Sequence, residues 1–103
     1  MKSGKLDRRI TIQNRIETQN SFGEAVISYG TFATVWAEVL PLSGRELFTA
    51  AQTFPEAQLK VRIRYLAGVT EKHRILHDGV SYDILHIAEM GRREGLEILV
   101  KKP

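Results

Sequence analysis

Gln58-Leu59-Lys60-Val61-Arg62-Ile63-Arg64-Tyr65 is the cleanest period-two pattern in the chain, with Leu59, Val61, Ile63 and Tyr65 on one side and Lys60, Arg62 and Arg64 on the other. Successive side chains of a strand point to opposite faces, so this spelling predicts a strand with one aliphatic face on a core and one basic face outward. Gly68 breaks the pattern. Downstream, Arg74 to His77, Asp78-Gly79 and Val80 to Ala88 predict a hairpin, because Asp-Gly suits the positive backbone angles of a type I′ turn. Gly91-Arg92-Arg93-Glu94-Gly95 then leads into a last strand carrying Leu96, Ile98 and Val100.

Upstream the same period recurs. From Arg9 to Ile16, Ile10, Ile12 and Ile16 alternate with Arg9, Thr11, Gln13 and Arg15, leaving Asn14 as a polar intrusion on the inward face. Thr18 to Gly23 reads as a polar loop with Phe22 as an exposed or partner-seeking aromatic, and Ala25 to Tyr29 as a short strand before Gly30. Between Phe32 and Leu40, Ala33, Val35, Ala37 and Val39 alternate with Thr34, Trp36, Glu38 and Leu40. Apolar groups on both sides imply that one face packs on the core and the other on something else.

One helix is expected, over about 43–54. Ser43 can accept from the amide three residues on while Glu46 reaches back to the amide of Ser43, which is a capping box. Pro41 stops the preceding strand near Leu40, and Pro55 limits the far end. Leu47, Phe48, Ala51 and Phe54 fall near one stripe that would cover an open end or face of the sheet. About six short strands with turn signals between them give a mainly β fold, a small barrel or sandwich with one inserted helix. At 103 residues, the chain reads as a single domain, 1–103, large enough for one core.

Composition removes several function classes. Hydrophobic content of 43% with 26% charged residues belongs to a folding chain, not a disordered one. No apolar run reaches the ~18 residues that span a bilayer, and Met1 to Asp7 lacks a secretory signal's apolar stretch, so no membrane partner and a cytoplasmic site of synthesis are expected. With no cysteine there is neither a disulfide staple nor a thiolate zinc site. His73, His77 and His86 invite a metal reading. A strand nevertheless separates His73 from His77 by roughly 13 Å, too far for one ion, and they read as surface or interface histidines. None of the 8 glycines sits in a phosphate-cradling pattern, and Ser43 lacks a nucleophile elbow. Asp78 is explained by its turn and Glu46 by its cap, so no catalytic residue and no cofactor are expected.

The formal charge of +3 is mildly basic, and the basic residues are dispersed. Trp36, Phe22 and Tyr29 near basic residues allow an alternative reading, a small barrel that stacks single-stranded nucleic acid. Aromatics and basic residues are not interleaved along one strand, which favours core or subunit contacts instead.

Five blocks in order carry a resemblance: Arg8-Arg9-Ile10-Thr11-Ile12-Gln13; Ala33-Thr34-Val35-Trp36-Ala37-Glu38-Val39; Pro41-Leu42-Ser43-Gly44-Arg45-Glu46; Arg62-Ile63-Arg64-Tyr65 with Gly68-Val69-Thr70; and Tyr82-Asp83-Ile84. Together they resemble the head-tail connector proteins of tailed bacteriophages, also called head-tail adaptor, joining or head-closure proteins. The resemblance runs from about Gly4 to Lys101; Glu71-Lys72-His73 departs from it, where a proline and less charge are expected. It implies a non-enzymatic virion part at the head-tail interface, made in the bacterial host cytoplasm. It further implies a ring of identical copies below the portal protein, a tail-side connector partner, and transient proximity to packaged DNA. In related proteins a loop reaches into the channel to close it. The matching stretch here is Gln19 to Gly30, with Gln19, Asn20, Ser21, Phe22 and Gly23 as the candidate closing loop. Trp36, Leu40, Arg45, Lys60, Arg62 and Arg64 are the candidate subunit or partner contacts. Exposed apolar patches and open strand edges are the routes by which such a module meets its neighbours.

The capping box makes a prediction of its own. Ser43→Ala should cost about 1 kcal/mol with the fold retained, through loss of the amide acceptor; an unchanged melting temperature would show that the helix starts elsewhere.

Overall fold

A computed structural model describes residues 6–42 and 54–102. Six strands run in chain order: β1 (Arg8–Gln19), β2 (Ala25–Pro41), β3 (Leu59–Arg64), β4 (Arg74–His77), β5 (Val80–Met90) and β6 (Gly95–Lys101). All neighbours are antiparallel, and the sheet closes on itself as a barrel in the order β1-β2-β3-β6-β5-β4. Of the two architectures expected, it is the barrel. The expected helix lies outside the described residues except for Phe54, whose ring stacks on His86 at 5.2 Å between centroids.

The interior is the aliphatic half of each alternation. Ile10 and Ile12 of β1, Ala37 of β2, Val61 and Ile63 of β3, Ile75 of β4, Ile84 of β5 and Leu96, Ile98 and Val100 of β6 form one buried cluster. Leu59 and Tyr65 pack against it from either end of the β3 pattern. Each such side chain contributes roughly 1.5–3 kcal/mol by leaving water, so the cluster is what closes the sheet.

Turn chemistry sets the register. Asp78 and Gly79 have φ of 55° and 77°, and His77 pairs with Val80, so two residues join β4 to β5 as a type I′ turn. Gly91 has φ of 61°, a left-handed backbone angle that favours glycine. A bulge in β5 lets both Ile84 and Ile87 face inward: Ile84 pairs with Val100, but His86 pairs with Leu99, leaving Leu85 over.

Two readings of β1 and β2 are corrected. Ala25 to Tyr29 is not a separate strand, because β2 continues through Gly30 to Pro41. Ile16 is not a core residue; it is 40% exposed. A second bulge lies at this point in β2, where Ile12 pairs with Ala33 but Gln13 with Thr31, leaving Phe32 over. β4 reaches no further along β1 than Gln13, so the barrel ends there while β1 and β2 run on.

Ile63→Ala should destabilise the protein by about 2–5 kcal/mol, because it empties a fully enclosed site between β2 and β6. Urea unfolding measures this, and a loss under about 1 kcal/mol would mean that β3 does not present Ile63 to the core.

Candidate functional site

Past the barrel rim, Asn14–Gln19 and Ala25–Gly30 form six cross-strand pairs with each other, from Asn14↔Gly30 to Gln19↔Ala25. β4 pairs with β1 only at Thr11–Gln13 and β3 pairs with β2 only at Ala37–Pro41. A two-stranded arm therefore projects from the barrel and draws the molecule out to 49 Å against 29 and 26 Å across. Cross-strand partners share a face, which puts Ile16, Thr18, Val26 and Ser28 on one side and Arg15, Glu17, Ile27 and Tyr29 on the other. Ile16, Val26, Ile27 and Tyr29 are all exposed.

A lone two-stranded ribbon is marginal in water, and the arm is braced at its base. Arg74 Nε donates to Gln13 Oε1 at 2.7 Å, and the same guanidinium lies 3.4 Å from the centre of the Tyr29 ring. Phe32, the bulged residue, tilts against His73 at 4.5 Å and comes within 3.3 Å of where a Cβ on Gly68 would stand. The turn carrying His73 organises itself: the Thr70 amide donates to His73 Nδ1 at 3.0 Å, and the His73 amide donates to the Thr70 carbonyl at 3.1 Å. Nδ1 thus holds a lone pair, and the ring is fixed against Phe32. Gly30 has a packing reason, since a Cβ would meet Ile16 Cδ1 at 3.0 Å and Asn14 Oδ1 at 3.1 Å, the two side chains that lie across it.

The tip is a built loop. Asn20 Oδ1 accepts from the amides of Phe22 and Glu24 at 2.9 and 3.0 Å, the Asn20 amide donates to the Glu24 carbonyl, and Gly23 takes φ of 78°. Gln19 closes the last pair with Ala25, and Ser21 is exposed. Phe22 is 85% exposed, held outward by a hydrogen-bonded turn at the far end of the arm.

The other candidate contacts lie on the barrel wall. Trp36 is 51% exposed, with Arg9 over its ring at 5.1 Å, and Leu40 is half-buried on the same side of β2. Arg62 stands between Glu38 and Glu97, its direct cross-strand neighbours, with N···O distances of 3.4 and 3.2 Å. Its charge is already answered within the chain. Lys60, expected on a solvated stripe, is 3% exposed, whereas Arg64 is exposed. Arg45 lies outside the described residues. Among the described residues no group of three His, Asp or Glu is placed to hold a metal, and His73 falls in the turn before β4, not on the strand with His77. Trp36 and Tyr29 each have one ring face taken by a guanidinium.

The family model of the phage head completion protein matches residues 1–103. The chain belongs to the phage head completion protein family. This agrees with the connector resemblance of the five sequence blocks, and it makes the protein a structural virion component with a head-related role, not an enzyme. In structure it is similar to protein SF1141 from Shigella flexneri 2a, solved in solution, with 27% identity, a TM-score of 0.78, and 99% of this chain and 96% of that one covered. It also shares its fold with a chain of the native gene transfer agent virion, with 19% identity, a TM-score of 0.65 and 94% of each chain covered. No curated protein matches it in sequence.

The sequence placed Phe22 in a polar loop, but it put Ile16 on the inward face and did not single out Val26 and Ile27 as surface residues. The available signal was Asn14, whose polar side chain on the inward face marks where the barrel stops.

Two substitutions separate the presented side chain from its support. Phe22→Ser should change stability by no more than about 0.5 kcal/mol, because the ring touches mostly solvent. Asn20→Ala should speed amide exchange at Phe22 and Glu24, whose acceptor it removes, while barrel amides stay protected. Equal protection at both tip amides would mean that Asn20 does not hold the turn.

Proposed function

We propose that the protein assembles as a ring below the portal of a tailed phage, joins head to tail, and helps to close the DNA channel after packaging. The observation behind this reading is the braced arm with apolar side chains on both faces and no cover among the described residues. Exposed patches of this kind mark partner surfaces. A ring requires a heterologous contact, one patch meeting a different patch on the next copy, and an arm that leaves one side of a barrel provides two unlike surfaces.

The candidate closing loop, Gln19 to Gly23, suits the lumen. A ring of outward-held Phe22 side chains would form an apolar constriction, and such constrictions exclude water without a covalent lock. Trp36, Leu40 and Arg64 remain fitting contacts for the portal protein, a tail-side connector or another copy. Arg45 stays a proposed contact on its sequence position alone. Lys60 and Arg62 are less suited, being buried and internally paired. On this reading the protein sits at the head-tail interface of the virion, is made in the host cytoplasm, and meets DNA only in passing.

Light scattering and electron microscopy of mixtures with the portal protein test the proposal. The expected result is a monomer or weak self-association alone and ring-shaped density on the portal; absence of any portal binding counts against it. Binding to single-stranded DNA should be slight at moderate salt, and tight binding with a steep salt dependence would favour the nucleic-acid reading.

A further inference from the structure

Both long edges of the arm are open among the described residues: β2 lacks a second strand partner before Ala37, and β1 lacks one after Gln13. Open edges are normally guarded by charge, proline or a covering element, because their amides and carbonyls invite another chain. From Ala25 to Ala37 there is no charged residue and no proline. We propose that in the ring the β2 edge of one arm, along Ala25–Thr31, pairs antiparallel with the β1 edge, Asn14–Gln19, of the next copy, so that the arms form one continuous collar of sheet. This rests on the ring reading and specifies its contact.

A second copy is the occupant that satisfies both edges at once. β1 and β2 run in opposite directions, so arms standing side by side place each β2 against the next β1 in antiparallel order without turning either arm over. The contact is heterologous and closes by rotation, leaving no edge exposed. A two-fold β2 to β2 contact would instead make a dimer and leave the β1 edge, with Ile16, in water. There is also room. An open groove of about 630 Å³ lies against Asn14, Arg15 and Glu17, with Lys72, His73 and Arg74 on its other side, where β4 would have run had it continued. Pairing there gives Ile16, Val26, Ile27 and Tyr29 a second cross-strand neighbour besides the one each has in its own hairpin, and sets Arg15 and Glu17 beside uncharged residues, so no like charges meet.

The cysteine-free sequence allows a clean test. Glu17 and Ile27 face each other within one hairpin, so Glu17→Cys and Ile27→Cys are placed in separate proteins of distinguishable mass, mixed, bound to the portal and mildly oxidised. Arg15→Cys and Tyr29→Cys sample the neighbouring registers. The mixed disulfide should exceed either homodimer several-fold in at least one register. Dominant Ile27→Cys homodimers, or rings on the portal with no mixed disulfide in any register, would overturn the edge pairing while leaving the ring reading intact. Absence of rings would overturn the ring reading itself. Independently, Ile27→Lys, which puts a charge on the unguarded edge, should abolish rings at an unchanged melting temperature; rings of normal abundance would overturn the pairing.

Discussion

The seam between β1 and β4 is three residue pairs long, from Thr11↔Leu76 to Gln13↔Arg74, and the rest of the molecule depends on it. It is just long enough to place Ile12 and Ile75 opposite each other at the centre of the core, which closes the barrel. It is also short enough that the last six of the twelve β1–β2 pairs have no third strand beside them. A longer β4 would have given a taller barrel and no arm. Because Arg74 is the first residue of β4 and also the one that grips Gln13 and Tyr29, the point where the seam ends is the point where the arm is held.

This arrangement separates folding from association. Core aliphatics such as Ile10, Ile63 and Ile98 contact only the barrel interior, so their loss weakens the fold without touching the arm's outer surface. Phe22, Val26 and Ile27 stand in solvent, so changing them leaves the core's free energy almost untouched. The bracing residues couple the two regions: His73 and Gly68 belong to the connection between β3 and β4, yet they pack on Phe32 at the arm's root.

The strands of the barrel were legible in the sequence, though not the choice of barrel over sandwich, because alternation over Leu59–Arg64 and the Asp78-Gly79 turn are local signals, each satisfied by its own residues. The arm was not, because the residues that decide it are distant in sequence. Ile16 has the same spelling relative to Ile12 as a core residue would; only the failure of β4 to extend past Arg74 exposes it. Gly30 looked like a terminator because glycine usually is one, whereas here it leaves space for Ile16 and Asn14 to cross the strand. Lys60 obeyed the alternation, pointing outward, yet it is buried, since period two reports which face a side chain occupies and not what lies above that face. The Glu38-Arg62-Glu97 row illustrates the same limit. Its members are far apart in the chain and become neighbours only through the strand order β2-β3-β6.

Structural virion parts face an ordering problem, since surfaces that must bind in the particle must not bind beforehand. The arm offers a physical solution. The β1 edge of the arm, Asn14–Gln19, is only six residues long, and a strand pair of that length gains little after the entropy of fixing two molecules together is subtracted. On the proposed reading, docking on the portal would remove most of that entropy by raising the local concentration of neighbours, and the weak pairing would then become favourable at every joint. Longer unguarded edges would aggregate in the cell, and guarded ones would not close on the template. An uncharged but short edge, braced at one end and free at the other, lies between those failures.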